Sequence, residues 1–297
     1  MRLLVLGSTG MLGQALMKEA KDRNLEALGM ADSGCADVLF DICDDAKLTK
    51  LIDDYRPTTI INTVALVNLG VCEQDPGLAY RVNTRPAGIL ANVCRKYAIR
   101  LIHISTDHYY TGGIDSKHDE NGKIVLLNEY ARTKYLAECL ALAYDNALVV
   151  RTNIVGFRQQ PNSPTFVEWA LKVIQNDEPC VLFDDFYTSS IDVAQFSKVL
   201  FDLLNNNVSG VINLACRDVS SKKDFILGLS TGLGKSLTKA TIGSVIKSSY
   251  QGVVRAESLG LDVGRAEEIL GYQLPTKDAV LKSLIMQATR KFDEIRQ

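Results

Sequence analysis

A glycine-rich turn directly after the first predicted strand is the feature that most constrains the fold of this 297-residue chain. The apolar segment Leu3–Leu6 leads into Gly7-Ser8-Thr9-Gly10-Met11-Leu12-Gly13, and a helical pattern begins at once. Glycines at this spacing let the backbone turn tightly and approach a pyrophosphate, while free N–H groups at the helix start face the anion. The motif therefore predicts a βαβ unit that binds a dinucleotide.

Short apolar runs alternate with helical patterns through the first half of the chain. The predicted strands are Leu3–Leu6, Leu25–Met30, Val38–Phe40, Thr59–Thr63, Leu101–Ser105 and Leu148–Thr152. The predicted helices are Met11–Arg23, Asp45–Tyr55, Gly77–Tyr97 and Glu129–Tyr144. Because the strands are continuous apolar runs, as burial on both faces requires, the pattern indicates an α/β fold with a Rossmann-like, doubly wound parallel sheet.

The alternation changes after Thr152, which predicts a smaller C-terminal substrate-binding lobe. We expect a dinucleotide-binding domain over 1–152, to which 190–215 returns, and a lobe formed by 153–189 and 216–297. The later predicted elements are helices Phe166–Gln175, Val193–Leu204 and Thr276–Gln297 and the strand Val211–Leu214.

Composition and charge exclude several classes of protein. The net charge is −2, and the lysines and arginines are spread along the chain, so we expect no nucleic-acid partner. No apolar run is long enough for a membrane span or a signal peptide, which favours a cytoplasmic protein. Seven scattered cysteines without a C-x-x-C pair indicate reduced thiols and no metal site. The sequence leaves the oligomeric state open, with a homodimer as the assembly considered.

A carboxylate about twenty residues beyond the last glycine typically holds the adenosine ribose of NAD. Asp32 follows the second predicted strand at about that distance, but it also fits a turn residue in Ala31-Asp32-Ser33-Gly34. No arginine stands at that strand end to hold a 2′-phosphate. The sequence therefore predicts a nicotinamide cofactor and leaves NADPH and NADH as alternatives.

Three side chains form the candidate catalytic set. Tyr130 and Lys134 are four residues apart in a helical pattern, so both project from one face. A neighbouring ammonium favours a phenolate, and we therefore expect the pKa of Tyr130 to be lowered toward the range of a general acid–base. Thr106 follows the fifth predicted strand at its carboxyl end, where a hydroxyl can polarise a substrate carbonyl.

The histidines give little support to hydrolysis. His103 lies within a strand and is interpreted as a core residue, whereas His108 and His118 are predicted in loops. No serine elbow accompanies them.

With the glycine turn, the strand-end threonine and the Tyr/Lys pair in order, the chain resembles the extended short-chain dehydrogenase/reductases, most closely the dTDP-4-dehydrorhamnose reductase family. The likeness extends over essentially the whole chain. Its further motifs are Pro57–Asn62 with Ala65, Cys72-Glu73, Val82-Asn83, His103–Asp107 with Gly112, Tyr130–Lys134, Ala137-Glu138 and Arg151-Thr152.

The resemblance implies reduction of a nucleotide-linked 4-keto-6-deoxy sugar by NADPH or NADH, as in polysaccharide biosynthesis. Thr106 would orient the sugar carbonyl, Tyr130 would donate the proton, and Lys134 would tune Tyr130 and hold the nicotinamide ribose. The remaining residues that it implies are Gly7, Gly10 and Gly13 at the pyrophosphate, Asp41 and Ile42 at the adenine, Ala65 in the cofactor channel, Asn83 as a supporting asparagine, and Phe186–Ile191 with Arg255 in the nucleotide-sugar pocket.

Two departures from the family pattern fall on the substrate side. The family usually has S-T-D-Y-V-F-D-G where this chain has Ser105–Gly112 with His108-Tyr109-Tyr110-Thr111, so we expect the loop beside the substrate to differ. Asn153-Ile154 replaces a Ser-Trp pair and is expected to remove an aromatic from the pocket.

Three other activities fit the same resemblance to different degrees. A 4,6-dehydratase needs an acid pair after the threonine, and Asp107 is followed by His108, which argues against it. A sugar-nucleotide epimerase, which needs little beyond the Tyr/Lys pair, stays open. So does a non-catalytic NAD(P)-binding regulatory subunit, such as that of methionine adenosyltransferase.

Overall fold

The computed structural model describes residues 1–113, 116–158, 160, 163–249 and 252–296. Within these residues a seven-stranded parallel sheet has the order β11-β6-β5-β4-β1-β2-β3. Its strands are β1 (Arg2–Leu6), β2 (Glu26–Ala31), β3 (Val38–Leu39), β4 (Thr59–Asn62), β5 (Arg100–Ile104), β6 (Ala147–Arg151) and β11 (Gly210–Asn213). The predicted α/β fold with a doubly wound sheet is confirmed.

Helices cover both faces of this sheet. They are α1 (Met11–Asp22), α2 (Asp45–Tyr55), α3 (Leu69–Gln74), α4 (Pro76–Ala79), α5 (Arg85–Tyr97), α6 (Glu129–Leu142) and α8 (Val193–Leu204). Along β1, Leu3 and Val5 pack into a core on the side of α1 and α8, whereas Leu4 and Leu6 pack into a second core on the side of α2 and α5. Burial on both faces explains why the strands are continuous apolar runs.

The remaining elements form small sheets and helices beyond the carboxyl edge of the large sheet. The strand pairs are β7 (Ile154–Val155) with β10 (Ile191–Asp192), β8 (Cys180–Phe183) with β13 (Ala240–Gly243), and β9 (Tyr187–Thr188) with both β12 (Ser220–Ser221) and β14 (Ser258–Leu259). The helices are α7 (Phe166–Asn176), α9 (Lys222–Gly232), α10 (Val245–Ser249), α11 (Gly264–Leu270) and α12 (Lys277–Arg296). Gln297, the last residue of the predicted terminal helix, lies outside the described residues.

The prediction of a single α-helix over Gly77–Tyr97 is wrong, because a π-helical turn interrupts it. The chain forms α4, then a π-helical turn over Tyr80–Thr84, and then α5. The N–H of Arg85 donates to the carbonyl of Tyr80, and Pro86 occupies the first turn of α5, where its missing N–H costs no helical hydrogen bond. The wider turn contains Asn83, a candidate site residue.

Parallel strands end at the same edge of a sheet, and β1 and β4 are neighbours where the strand order reverses. Open α/β sheets bind ligands in the crevice at this switch point, beyond the carboxyl ends of the strands. Among the described helices, none has both the length and the apolar character needed to cross a membrane.

Candidate active site

The glycine turn after β1 is shaped by close backbone approach. Gly7 has φ +85°, a left-handed conformation that disfavours a side chain. A Cβ on Gly13 would lie 2.1 Å from the carbonyl oxygen of Gly7, so only glycine lets α1 start against the turn. The N–H groups of Gly7 and Ser8 both donate to the carbonyl of Met30, at 2.8 and 3.0 Å, which fixes the turn to β2.

Polar groups at this turn are left for a ligand. The N-cap of α1 is Gly10, which offers no side-chain acceptor to the N–H groups of the first turn. The Ser8 hydroxyl oxygen is buried and has no hydrogen-bond partner among the described residues. Since helix N-termini attract anions, these features fit the pyrophosphate of a dinucleotide.

The carboxylates expected near the adenosine lie at the ends of β2 and β3. Asp32 is exposed directly after β2 and accepts a hydrogen bond from the Ser33 hydroxyl at 3.0 Å. Asp41 is also exposed, and it accepts from the N–H of Cys43 at 2.9 Å. Ile42 is buried in the second core, so most of its side chain contacts the core and not a ligand.

Asn83 joins the end of β4 to helix α6. Its amide oxygen accepts from the N–H of Leu66 at 2.7 Å, and its amide nitrogen donates to the Leu66 carbonyl and the Thr133 hydroxyl, each at 3.1 Å. The half-buried Ala65 lies in the segment held in this way. Asn83 thus positions two sides of the crevice, a role that its place in the π-helical turn makes possible.

Thr106, Tyr130 and Lys134 come together beyond the carboxyl end of β5. Thr106 lies two residues after that strand, and α6, which begins at Glu129, carries the other two on the face turned toward it. Asn128 caps α6 by accepting from the N–H of Ala131 at 2.8 Å. All three side chains are buried, and Lys134 Nζ donates to the carbonyl of Ile104 at 2.7 Å.

Burial governs the protonation of the Tyr/Lys pair. It raises the pKa of Tyr130 to about 12, opposed by a hydrogen bond with Thr106. It also lowers the pKa of Lys134 to about 8, opposed by the charge of Glu138. The expectation that the phenol has a lowered pKa is therefore wrong. An ammonium attracts a phenolate, but the loss of solvent around this buried pair disfavours the charged forms of both groups.

The two family departures have unexpected positions. Tyr109 and Tyr110 are fully buried in the main core, so their rings contribute to packing. His108 packs its ring edge-on against Tyr130, with centroids 5.5 Å apart. Asn153, at the position of the family's serine, donates to Asp107 Oδ2 at 2.7 Å, and Ile154, at the position of the tryptophan, begins β7.

A buried ion pair supports α6 against the sheet. Arg151 at the end of β6 contacts Glu138 through Nη2 and Oε2 at 2.7 Å and donates to the Tyr110 hydroxyl at 2.9 Å. The Ser105 hydroxyl also donates to Glu138, at 2.5 Å. These contacts explain why a charged pair and a tyrosine occupy the core.

The segment Phe186–Ile191, which the resemblance assigns to the nucleotide-sugar pocket, is largely buried, whereas Arg255 is exposed and acts electrostatically on His108. Sequence reasoning missed Lys222, at the start of α9. Its ammonium lies 4.5 Å from the ring centroid of Phe166 and donates to the Ser190 hydroxyl at 3.3 Å. A lysine at a helix start looks like a solvent-exposed residue, so nothing in the sequence singled it out. His103 is fully buried, as expected for a core histidine.

Residues 1–287 match the family described as RmlD substrate binding domain. The chain belongs to this family. A relative from Streptomyces niveus, named dTDP-4-keto-6-deoxy-D-glucose reductase, is 31% identical over 214 residues, which cover 71% of this chain and 72% of that protein.

Two further similarities extend over nearly the whole length. The probable low-salt glycan biosynthesis reductase Agl14 of Haloferax volcanii is 26% identical over 96% of this chain and 97% of that protein. The solved structure of dTDP-4-dehydrorhamnose reductase from Bacillus anthracis, in complex with NADP, superposes with a TM-score of 0.85, covering 96% of this chain and 99% of that one at 20% identity. The RmlD-family fold is thus common to this chain and the solved reductase.

Proposed function

We propose that this protein is a nicotinamide-dependent reductase of a nucleotide-linked 4-keto-6-deoxy sugar. The observation that carries the proposal is the meeting of Thr106, Tyr130 and Lys134 at the sheet edge where the glycine turn also lies. A proton donor, a hydroxyl and a cation beside a dinucleotide crevice are the groups that carbonyl reduction requires.

Tyr130 acts as the general acid. Because burial holds the pKa of its phenol at about 12, the group is protonated at neutral pH. An alkoxide that forms from a ketone is more basic still, so the proton moves from Tyr130 to the former carbonyl oxygen as that oxygen becomes negative. The Thr106 hydroxyl donates a second hydrogen bond to the same oxygen and orients it.

Lys134 compensates the phenolate that remains after proton transfer. Its amine is anchored on the carbonyl of Ile104, one helical turn from Tyr130, and its pKa of about 8 leaves it largely protonated at neutral pH. Lys134 would also hold the ribose of the nicotinamide.

The cofactor is a reduced nicotinamide dinucleotide, which supplies the hydride when it is bound. Gly7, Gly10 and Gly13 would give its pyrophosphate the close approach described above. Asp32 stands where a ribose hydroxyl is held, and Asn83 keeps the crevice wall in place. NADH and NADPH are the two alternatives for the assay.

The names of the relatives support the substrate class. The Streptomyces niveus relative is named for reduction of dTDP-4-keto-6-deoxy-D-glucose, and the Bacillus anthracis protein for dTDP-4-dehydrorhamnose. Both substrates carry a ketone on a nucleotide-linked deoxy sugar.

The deciding experiment follows loss of reduced-nicotinamide absorbance with dTDP-4-keto-6-deoxy sugars, with NADH and NADPH in parallel. Tyr130→Phe keeps the ring and removes the proton, so it should lower turnover by roughly 10²-fold or more and leave cofactor affinity nearly unchanged. Tyr135→Phe, on the same helix with its ring against Tyr109, is the matched control and should retain turnover.

Each other outcome points elsewhere. Cofactor binding without turnover of any keto sugar would indicate a regulatory subunit, and interconversion of sugars without net cofactor consumption would indicate an epimerase. Full activity of Tyr130→Phe would contradict the assigned acid.

A further inference from the structure

Asp107 is a buried carboxyl group directly beside the proposed catalytic hydroxyl. It is 1% exposed, and the Thr106 hydroxyl donates to its Oδ1 at 3.4 Å. The proposed reaction does not use this carboxyl. Burial of a carboxylate costs free energy unless hydrogen bonds or opposite charges compensate it. Because buried titratable groups cluster at functional sites, Asp107 is a candidate for a role of its own.

A chain of hydrogen bonds leads from Asp107 into the substrate side. Asn153 Nδ2 donates to Asp107 Oδ2 at 2.7 Å, and the Ser190 hydroxyl donates to Asn153 Oδ1 at 2.7 Å. Ser190 also shares a hydrogen bond with Thr188 at 2.9 Å and accepts from Lys222 at 3.3 Å. The carboxyl is therefore held in one orientation, with Oδ1 turned to Thr106.

The charged and titratable groups that face Asp107 come from three elements. Lys222, among the rings of Phe166, Phe186 and Phe225, lies on α9, Tyr130 lies on α6, and His108 Nε2 is 3.9 Å from Asp107 Oδ1. Burial raises the pKa of Asp107 to about 7, against the lowering effects of Asn153 and Lys222. Burial likewise lowers the pKa of Lys222 to about 8. Asp107 thus changes charge near neutral pH.

A threonine hydroxyl has only one proton to donate. When Asp107 is ionised, the proton of Thr106 is directed to the carboxylate, and a substrate oxygen must compete for it. When Asp107 is protonated, the carboxylic acid donates to Thr106, and the Thr106 proton is free to point toward the substrate. The charge state of Asp107 therefore sets the direction of the Thr106 O–H bond.

We infer that Asp107 is a positioning residue that, in its protonated form, turns the Thr106 hydroxyl toward the keto oxygen of the substrate. The inference rests on the proposed reductase function. It also gives the phenolate of Tyr130 a route to regain its proton: Asp107 gives its proton to the Thr106 oxygen while Thr106 gives its own to the Tyr130 oxygen, leaving a carboxylate, an intact threonine and a neutral phenol. Solvent then protonates Asp107 again.

Two measurements on the full chain test this inference. The infrared carbonyl band of the protonated acid, isolated as the difference between wild type and Asp107→Asn, should disappear with a midpoint near pH 7. The kcat of wild type with the keto sugar nucleotide should fall up to about tenfold per pH unit above that midpoint. In Asp107→Asn the amide donates to Thr106 at every pH, so the fall with a midpoint near pH 7 should vanish and only the fall caused by deprotonation of Lys134, near pH 8, should remain. Below that pH, kcat should stay within about tenfold of the wild-type plateau.

A second variant changes the pKa of Asp107 without changing Asp107 itself. Lys222→Met keeps a side chain of similar length between the three rings and removes the cation that lowers the pKa of Asp107. Both the infrared midpoint and the fall in kcat should move to higher pH together. Asp184→Asn, a carboxylate on the substrate side that pairs with Lys223, is the control and should move neither.

The outcomes separate this inference from the proposed function. If wild type reduces no keto sugar, the function fails and the inference fails with it. If wild type is active but Asp107→Asn retains the fall in kcat with a midpoint near pH 7, the positioning role alone is overturned. A carboxyl band that persists beyond pH 9, or a fall in kcat that Lys222→Met leaves in place, also overturns it.

Discussion

Lys134 shows what it costs to hold an ammonium inside the protein next to a phenol. The side chain is 2% exposed and has one anchoring carbonyl, that of Ile104. Burial lowers its pKa from 10.5 to about 8, so the folded state binds fewer protons than the unfolded state between these values. Because the pKa of Lys134 is lower in the folded state, the free energy of unfolding decreases as pH falls from the unfolded-state pKa through the folded-state pKa.

Substitution of Lys134 should reveal this loss as a pH dependence. The free energy of unfolding of wild type relative to Lys134→Met should increase by about 1–3 kcal/mol between pH 7 and pH 10.5, because only wild type carries the buried titrating amine. Denaturant unfolding at a series of pH values measures the difference. Lys172→Met, on the exposed face of α7, controls for the removal of one lysine. A constant difference between wild type and Lys134→Met across this range would contradict the buried charge.

At the scale of elements, the attachment of α6 to the sheet depends on the pair Glu138 and Arg151. The side chain of Glu138 is 1% exposed and that of Arg151 is 4% exposed. Removal of one partner of a buried pair leaves an uncompensated charge, which is far worse than loss of an exposed pair. The pair fixes the helix that carries Tyr130 and Lys134.

Glu138→Gln should therefore lower the free energy of unfolding by about 3–5 kcal/mol. The exposed pair of Lys50 and Asp54 on α2 offers the comparison, and Asp54→Asn should change the same quantity by less than about 1 kcal/mol. Urea unfolding followed by circular dichroism measures both variants. Equal, small effects would mean that water reaches Arg151 and that the pair does not hold α6.

The glycine turn makes a separate demand on the start of α1. Gly13→Ala places a methyl group 2.1 Å from the Gly7 carbonyl oxygen, so the turn must open. We expect loss of dinucleotide affinity by at least about tenfold together with a lower melting temperature. Gly252→Ala meets no atom of the described residues within 4 Å and is the control. Unchanged dinucleotide affinity, measured by calorimetry, would separate the turn from cofactor binding.

The sequence predicted the seven strands of the large sheet, because double-sided burial leaves a continuous apolar run such as Leu3–Leu6. It did not predict the short strands β7–β10 and β12–β14, most of which have only two residues. It did not predict the π-helical turn at Tyr80–Thr84, since a single extra residue per turn barely changes helical periodicity. The sequence also did not predict the polar network of Asp107, Asn153 and Lys222. Its members come from three distant segments, and their contacts arise only when β5, β6 and α9 converge.

At the scale of the whole molecule, one sheet edge serves both the glycine turn and the candidate catalytic residues. Strand β11 lies beside β6 in the large sheet, although β7 to β10 intervene in the chain. The chain thus leaves the large sheet after β6 and returns to it at β11. We propose, as the sequence predicted, that 153–189 and 216–297 form the lobe that binds the nucleotide sugar.

Ligand binding should therefore stabilise the chain in two steps. A dinucleotide that binds only the native state should add about 2.7 kcal/mol at a concentration 100 times its Kd, and a nucleotide sugar bound across the crevice should add a further increment. Thermal unfolding with NADH, NADPH and dTDP-, UDP-, GDP- and CDP-sugars, singly and in pairs, measures both. Because the Gly13→Ala change lies at the pyrophosphate turn and weakens binding by at least about tenfold, it should reduce the first increment by about half or more. It should reduce the second only where the two ligands touch. If a nucleotide sugar stabilises the chain fully while no dinucleotide does, the glycine turn binds the nucleotide sugar. The assignment of the two ligands to the two sides of the sheet edge would then be reversed.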